Sequence, residues 1–186
     1  MQKILILNKK DISKYDMALN LEPKALASKK DKDLYIATRI IENIILNGRE
    51  KHIGVEGKPF MDGEDKYNLS NYEDYACGYV SSNGEVGVDI VKIQHFSDHF
   101  LDRIYKGEER SSIVSDIDAT KAWSIKEACI KCVGIGLKGL FDVEIKSDSI
   151  CAYKTKEFNY KSFEYNGYII TAVSEGKIEV ESLQTL

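Results

Sequence analysis

The stretch Trp123-Ser124-Ile125-Lys126-Glu127-Ala128-Cys129-Ile130-Lys131 holds three groups at a spacing that can do chemistry. On an α-helix Trp123, Glu127 and Lys131 stand four residues apart and form one stripe. The indole can anchor such a stripe while the carboxylate ligates a metal and the ammonium meets a phosphate. Upstream, Gly87-Val88-Asp89-Ile90 places an acid inside an apolar, strand-like run. Desolvating an unpaired charge is costly, so an acid there needs a partner. Asp89 and Glu127 together make a candidate site for a hard cation such as Mg²⁺, with lysines nearby for phosphate. The plainer reading is a capped strand-end acid and a surface Glu–Lys pair on a helix.

Two other constellations invite chemistry and fail on context. Cys129 and Cys132 form a lone C-x-x-C, but no second pair supplies the further ligands of a zinc site. The motif also lies inside a helix rather than between a strand and a helix, where a redox pair belongs. Core packing is the better account. His95 and His99 stand at i,i+4 without the glutamate of H-E-x-x-H or a third ligand, and are read as flanking a short helix.

The elements that must carry these residues can be read from periodicity. Residues 3–8 form a strand, with 1–8 as a whole reading as an edge strand. Apolar residues at helical spacing predict a helix from Asp33 to Leu46, closed by Gly48. Residues 57–66, with Gly57, Pro59, Asp62 and Gly63, read as a loop. Tyr75–Ser81 and Gly84–Ile90 read as two strands of a hairpin around Ser-Asn-Gly. A helix from about 97 to 106 ends at Gly107. A long helix follows, beginning near Ala119 with N-cap candidates between Ser115 and Thr120, and stopping at Gly134 or Gly136. Strands are expected at 143–146, 149–153, 168–174 and 177–181.

An internal echo suggests duplication. Tyr75-Ala-Cys-Gly-Tyr-Val80-Ser81 resembles Tyr168-Ile-Ile-Thr-Ala-Val173-Ser174, an offset of 168 − 75 = 93 residues, half the chain. The fold class is therefore α+β: two similar halves with pseudo-twofold symmetry, residues 1–92 and 93–186, forming one intimate unit with the ligand cleft between them.

Composition bounds the partners. The chain has 186 residues, 43% of them apolar, enough for one sizeable core or two small halves sharing one. No stretch approaches the roughly 20 apolar residues of a membrane span, and 1–8 is too short for a signal peptide, so a cytoplasmic protein without a membrane role is expected. Four cysteines fit that compartment as reduced, buried thiols. A net charge of −4 argues against nucleic acid. Between Lys121 and Gly139, however, four lysines face one acid, 4 − 1 = +3, which suits a phosphorylated small molecule or an acidic protein surface.

At these residues the chain resembles the 4′-phosphopantetheinyl transferases of the two-lobed, surfactin-synthetase-activating type. That family shows, in order, a G-K-P loop, an N-x-S-H segment, a G-[IV]-D-[IV]-E strand and a W-[ST]-x-K-E-[AS]-x-x-K helix. The counterparts are Gly57-Lys58-Pro59, Tyr67-Asn68-Leu69-Ser70-Asn71, Gly87-Val88-Asp89-Ile90-Val91 and Trp123 through Lys131, spanning about residues 30–140. Val91 stands in place of the second acid of the strand, as in the small holo-acyl-carrier-protein synthases. Asn71 stands in place of the histidine, and no arginine opens the first long helix.

The resemblance implies an Mg²⁺-dependent enzyme that moves 4′-phosphopantetheine from coenzyme A, its co-substrate, to a serine of an acyl or peptidyl carrier protein. It implies Asp89 and Glu127 as metal ligands, and Lys126 and Lys131 beside the pyrophosphate and phosphopantetheine arm. It also implies Lys58, Ser70 and Asn71 near the nucleotide's 3′-phosphate. Glu127 and Lys131 would be catalytic, with Glu127 or a water on the cation as base. The carrier would dock around residues 92–117. A monomer is expected, because one chain supplies both halves of the cleft. The alternative is a non-catalytic relative that binds coenzyme A or a carrier protein and has lost the transfer, kept open by Val91 and Asn71.

Overall fold

The computed structural model describes residues 2–15, 31–54 and 57–186. Strand β1 (Gln2–Asn8) lies inside a four-stranded sheet whose order is β11-β1-β5-β4, with β4 at Lys66–Tyr72, β5 at Tyr75–Ser81 and β11 at Gln184–Thr185. It is not an edge: β11 runs parallel beside it, setting Leu5 against Gln184. The second sheet has the order β6-β10-β9-β8-β7. These strands are β6 (Val86–Lys92), β7 (Val143–Ile145), β8 (Ile150–Tyr153), β9 (Lys156–Tyr165) and β10 (Tyr168–Ser174). A separate two-stranded ribbon pairs β2 (Lys51–Ile53) with β3 (Pro59–Met61), where a loop was expected for 57–66.

Each sheet carries one long helix. Helix α1 (Lys32–Leu46) starts at Asp31, whose side chain accepts from Leu34 N at 3.0 Å. It ends at Asn47, left-handed at φ 46°, one residue before the expected glycine. The run around 97–106 is a short helix α2 (Asp98–Ile104), and Gly107 opens a further turn, α3 (Gly107–Ser111). Helix α4 (Asp116–Val133) is capped by Ser115 and closed by Gly134 at φ 80°. It therefore begins a turn earlier than Ala119.

Strands β5 and β6 do not form the expected hairpin. The chain turns at 82–85 and crosses between sheets, because β6 pairs with β10, setting Asp89 against Thr171. Sheet membership thus changes at 82–85, ahead of the 92/93 boundary read from the sequence. The expected strand at 177–181 has no ladder; only Gln184–Thr185 returns to pair. The echo occupies matching places: β5 sits between β1 and β4, β10 between β6 and β9, both as centre strands. Leu5 pairs Gly78 in the first sheet as Asp89 pairs Thr171 in the second.

Three apolar layers result. One side of β6 (Val86, Val88, Ile90) packs with Ile4, Ile6, Cys77 and Tyr79 between the sheets. Helix α1 covers the outer face of the first sheet with Ile40, Ile41 and Ile45. Glu42, 1% exposed on α1, is held there by Arg39, by Lys51 Nζ at 2.6 Å and by the Tyr67 hydroxyl at 2.9 Å. Helix α4 covers the second sheet with Ile125, Cys129 and Ile130.

The alternate face of β6, carrying Gly87, Asp89 and Val91, is turned to α4. A Cβ on Gly87 would meet Ala128 O at 2.0 Å and Cys132 N at 2.5 Å, both backbone atoms of α4 that cannot rotate aside. The missing side chain lets strand and helix approach closely enough to bring their acids together. Gly87→Ala should therefore cost about 3 kcal/mol or more in chemical denaturation, at the upper end for overpacking. Gly167→Ala, in open space at a loop, serves as the control and should lose far less, its cost coming from a φ of 80° alone.

Candidate functional site

Helix α4 and strand β6 supply the centre of the site, and strand β4 reaches across from the other sheet to complete it. Lys131 Nζ donates to Asp89 Oδ1 at 2.6 Å and to Ser70 Oγ at 2.9 Å. Ser70 Oγ in turn donates to Asp89 Oδ1 at 3.2 Å. Asp89 is 6% exposed, so its charge is balanced by the ammonium rather than by water. Its second oxygen, Oδ2, is buried with no hydrogen-bond partner among the described residues. Such an atom in a native fold asks for an explanation, and an ion is one.

Glu127 stands one turn before Lys131 on the same stripe, half-buried beside the pair. Its carboxyl is pushed above the ordinary glutamate range, first by burial, then by the Asp89 charge, with Lys131 opposing. Two carboxylates that raise one another, one with an unpartnered oxygen, fit a divalent cation. The donor set is all oxygen, as Mg²⁺ prefers, and one or two carboxylates suffice for it.

Two openings flank this cluster. One, of about 430 Å³, is lined by Ser70, Asn71, Asp89, Val91, Trp123, Glu127 and Lys131, with Phe96 and Phe100 among its other walls. Those two phenyl rings and the indole stack at 5.2 to 6.1 Å between centroids and form its apolar side. The other, of about 300 Å³, lies across Glu127 and Lys131 and reaches Lys58, Asn68 and Leu137. Val91 shares the face of Asp89 and lines the first opening, where the strand motif would place an acid.

The remaining expected residues divide. Ser70, buried on β4, belongs to the cluster itself. Asn71 sits at its exposed rim, its Nδ2 donating to Thr38 Oγ1 at 3.2 Å. Lys58 lines the second opening, its Nζ donating to Cys132 O at 2.6 Å and paired with Glu85 at 2.7 Å. Lys126 is elsewhere. It is 1% exposed, paired with Glu109 at 2.9 Å, bonded to Val143 O and set over the Tyr105 ring at 5.1 Å. One residue on a helix is a rotation of about 100°, which turns Lys126 away from the side that Glu127 faces. Its role is to hold α3 and β7 against α4, and the expectation that it contacts coenzyme A is withdrawn.

Asn68 was not assigned a role from the sequence. Its Oδ1 accepts from Val88 N at 3.0 Å, tying β4 to β6 where no ladder joins the two sheets. Its place within the N-x-S segment was the available signal. The four cysteines are free and buried, and burial pushes the Cys77 and Cys132 thiols far up, so they are inert packing groups.

Ionised Glu127 costs the metal-free fold stability. Its folded pKa lies above its unfolded value, so the cost is absent below the ordinary carboxylate range and grows as pH rises through the raised one. Glu127→Gln should therefore raise the melting temperature of the metal-free protein near neutral pH. The gain should vanish in acid, and added Mg²⁺ should stabilise the parent but not the variant. Thermal scans across pH check all three.

A family model described as the 4′-phosphopantetheinyl transferase superfamily matches residues 85–173, from the turn before β6 to the end of β10. A holo-[acyl-carrier-protein] synthase of Campylobacter hominis is 32% identical over 116 residues, covering 47% of this chain and 94% of that protein. An L-aminoadipate-semialdehyde dehydrogenase-phosphopantetheinyl transferase of Candida glabrata is 26% identical over 132 residues, covering 59% of this chain and 51% of the relative. A 4′-phosphopantetheinyl transferase of Aneurinibacillus migulanus is 28% identical over 126 residues, with 64% and 49% covered. The chain thus spans about half the length of these last two relatives.

Proposed function

The chain belongs to the 4′-phosphopantetheinyl transferase superfamily, and from that premise we propose that it transfers 4′-phosphopantetheine from coenzyme A to a serine hydroxyl of an acyl or peptidyl carrier protein, releasing 3′,5′-ADP. The observation that carries this reading is the Asp89–Glu127–Lys131 cluster, an acid pair with an unpartnered oxygen beside a lysine at the mouth of two openings.

Asp89 and Glu127 would hold Mg²⁺, which when bound neutralises charge on the pyrophosphate oxygens of the leaving group. Lys131 places a fixed positive charge beside the same oxygens in a site shielded from water. Ser70 holds the Lys131 ammonium in position through its hydroxyl. Glu127, a stronger base than a free carboxylate because burial and Asp89 raise it, is placed to take the serine proton. Lys58 and Asn71, on either side of the cluster, are available to the nucleotide end of coenzyme A. The aromatic wall of Phe96, Phe100 and Trp123 offers an apolar surface to the pantetheine arm or the carrier. Both sheets come from one chain, so the working unit is taken to be a monomer. A cytosolic site of action suits four unpaired cysteines. In the described residues no helix is long and apolar enough to cross a membrane.

Incubation of an apo-carrier with coenzyme A and Mg²⁺, read by mass spectrometry, tests the transfer directly. Asp89→Asn and Glu127→Gln should each slow it at least about a hundredfold, roughly 2.7 kcal/mol of transition-state stabilisation. Near-normal turnover in both would remove the pair from the chemistry. Absence of transfer in the parent would favour the non-catalytic relative, for which Val91 and Asn71 are the motivating departures.

Val91 gives a gain-of-function test. It lies two residues beyond Asp89 on the same face and is 3% exposed. Val91→Glu should bring a third carboxylate to the cation and lower the Mg²⁺ concentration at which activity saturates. An unchanged Mg²⁺ dependence in a folded variant would place the cation away from this face of β6.

A further inference from the structure

We propose that Glu50, His52 and Asp62 form a second divalent-metal site, distinct from the Asp89–Glu127 pair and suited to a borderline transition ion such as Zn²⁺.

The backbone places these three side chains together. The β2–β3 ribbon sets Lys51 against Met61 and His52 against Phe60, and continuing that register sets Glu50 against Asp62. Residues 50 and 52 point to one side of their strand, and 60 and 62 meet them across the ribbon. One ligand atom from each of Glu50, His52 and Asp62 lies within 4.8 Å of the others. His52 Nε2 is already 2.9 Å from Asp62 Oδ1. Ligands about 2.0–2.2 Å from a tetrahedral zinc sit roughly 3.3–3.5 Å apart, a closure that rotation of the exposed carboxylates can supply. The fourth corner is Phe60, stacked on the imidazole at 5.1 Å and 29°, which holds the ring's plane.

Charge and donor type select the occupant. Two carboxylates and a neutral imidazole offset a doubly charged ion, and the nitrogen favours zinc over Mg²⁺ or Ca²⁺. The neighbouring cations are engaged elsewhere: Arg49 pairs with Asp65 at 2.7 Å, and Lys51 with Glu42 at 2.6 Å. Neither neutralises Glu50 or Asp62. An ion here would clip the open end of a ribbon that, at two short strands, is marginal by itself. The same ribbon carries Lys58 just before β3, beside the cleft. The site would therefore couple zinc to the placement of that lysine.

The test is calorimetric titration of ZnCl₂ into the full chain with Mg²⁺ present in excess to occupy the Asp89–Glu127 pair. One zinc per chain is expected. His52→Ala and Asp62→Asn should each weaken it at least about tenfold, while Glu127→Gln retains it. Co²⁺ in place of zinc should give visible absorption that is lost in His52→Ala. All the altered positions are at least partly exposed, and circular dichroism of each variant checks that it is folded. No saturable uptake, or uptake that both ribbon variants leave unchanged, would overturn the site.

Discussion

The close approach of β6 to α4 at Gly87 is the constraint on which the rest of this structure depends. A strand and a helix carrying ordinary side chains stand about 10 Å apart, too far for short acids on each to share an ion. With no Cβ at Gly87, the strand backbone packs directly on Ala128 and Cys132. Asp89, two residues along, then reaches the Glu127–Lys131 stripe. The same contact buries Asp89, and burial makes the Lys131 ammonium and the Ser70 hydroxyl necessary companions. Ser70 must come from the other sheet, so the site also depends on the bridge from Asn68 to the Val88 amide.

Much of this could be read from residue types. The apolar run around Asp89 gave a central strand, and the four-residue spacing from Trp123 to Lys131 gave one face of a helix. The matched segments at 75–81 and 168–174 proved to be the centre strands of two sheets. Strand β4 could not be read because Asn68, Ser70 and Asn71 are turn-formers by propensity; their polar atoms are satisfied only by groups from β6, α4 and α1. The crossing at 82–85 was equally hidden. A Ser-Asn-Gly turn signals a hairpin, and nothing local says that the second strand finds its partner some eighty residues later in β10. Lys126 was misplaced for a different reason: adjacency to Glu127 in the motif was read as adjacency in space, whereas the helix turns it into a buried pair with Glu109.

The two charged centres inside the molecule show how burial separates support from chemistry. Lys126 is surrounded by a carboxylate, a carbonyl and an aromatic face, leaving it nothing to offer a ligand. The Asp89 cluster is incompletely satisfied, with one oxygen unpartnered and one neighbouring carboxyl pushed up. Incomplete satisfaction is unfavourable in the empty protein and is what a charged substrate and its ion can relieve.

The correspondence between Leu5 and Asp89 carries a genetic consequence. The two residues hold the same place in their sheets, 89 − 5 = 84 positions apart, and Glu42 precedes Glu127 by a nearly equal 127 − 42 = 85. One glutamate is tied into a salt-bridge clamp with Arg39 and Lys51; the other lies open to a cleft. In an assembly of identical subunits every codon change is copied to each repeat, so both positions would have to serve as scaffold and as reagent at once. Joining the repeats in one reading frame removes that coupling. Each half can then drift toward its own task, and a substitution ruinous at Asp89 is harmless at its mirror position, where leucine already fills the core.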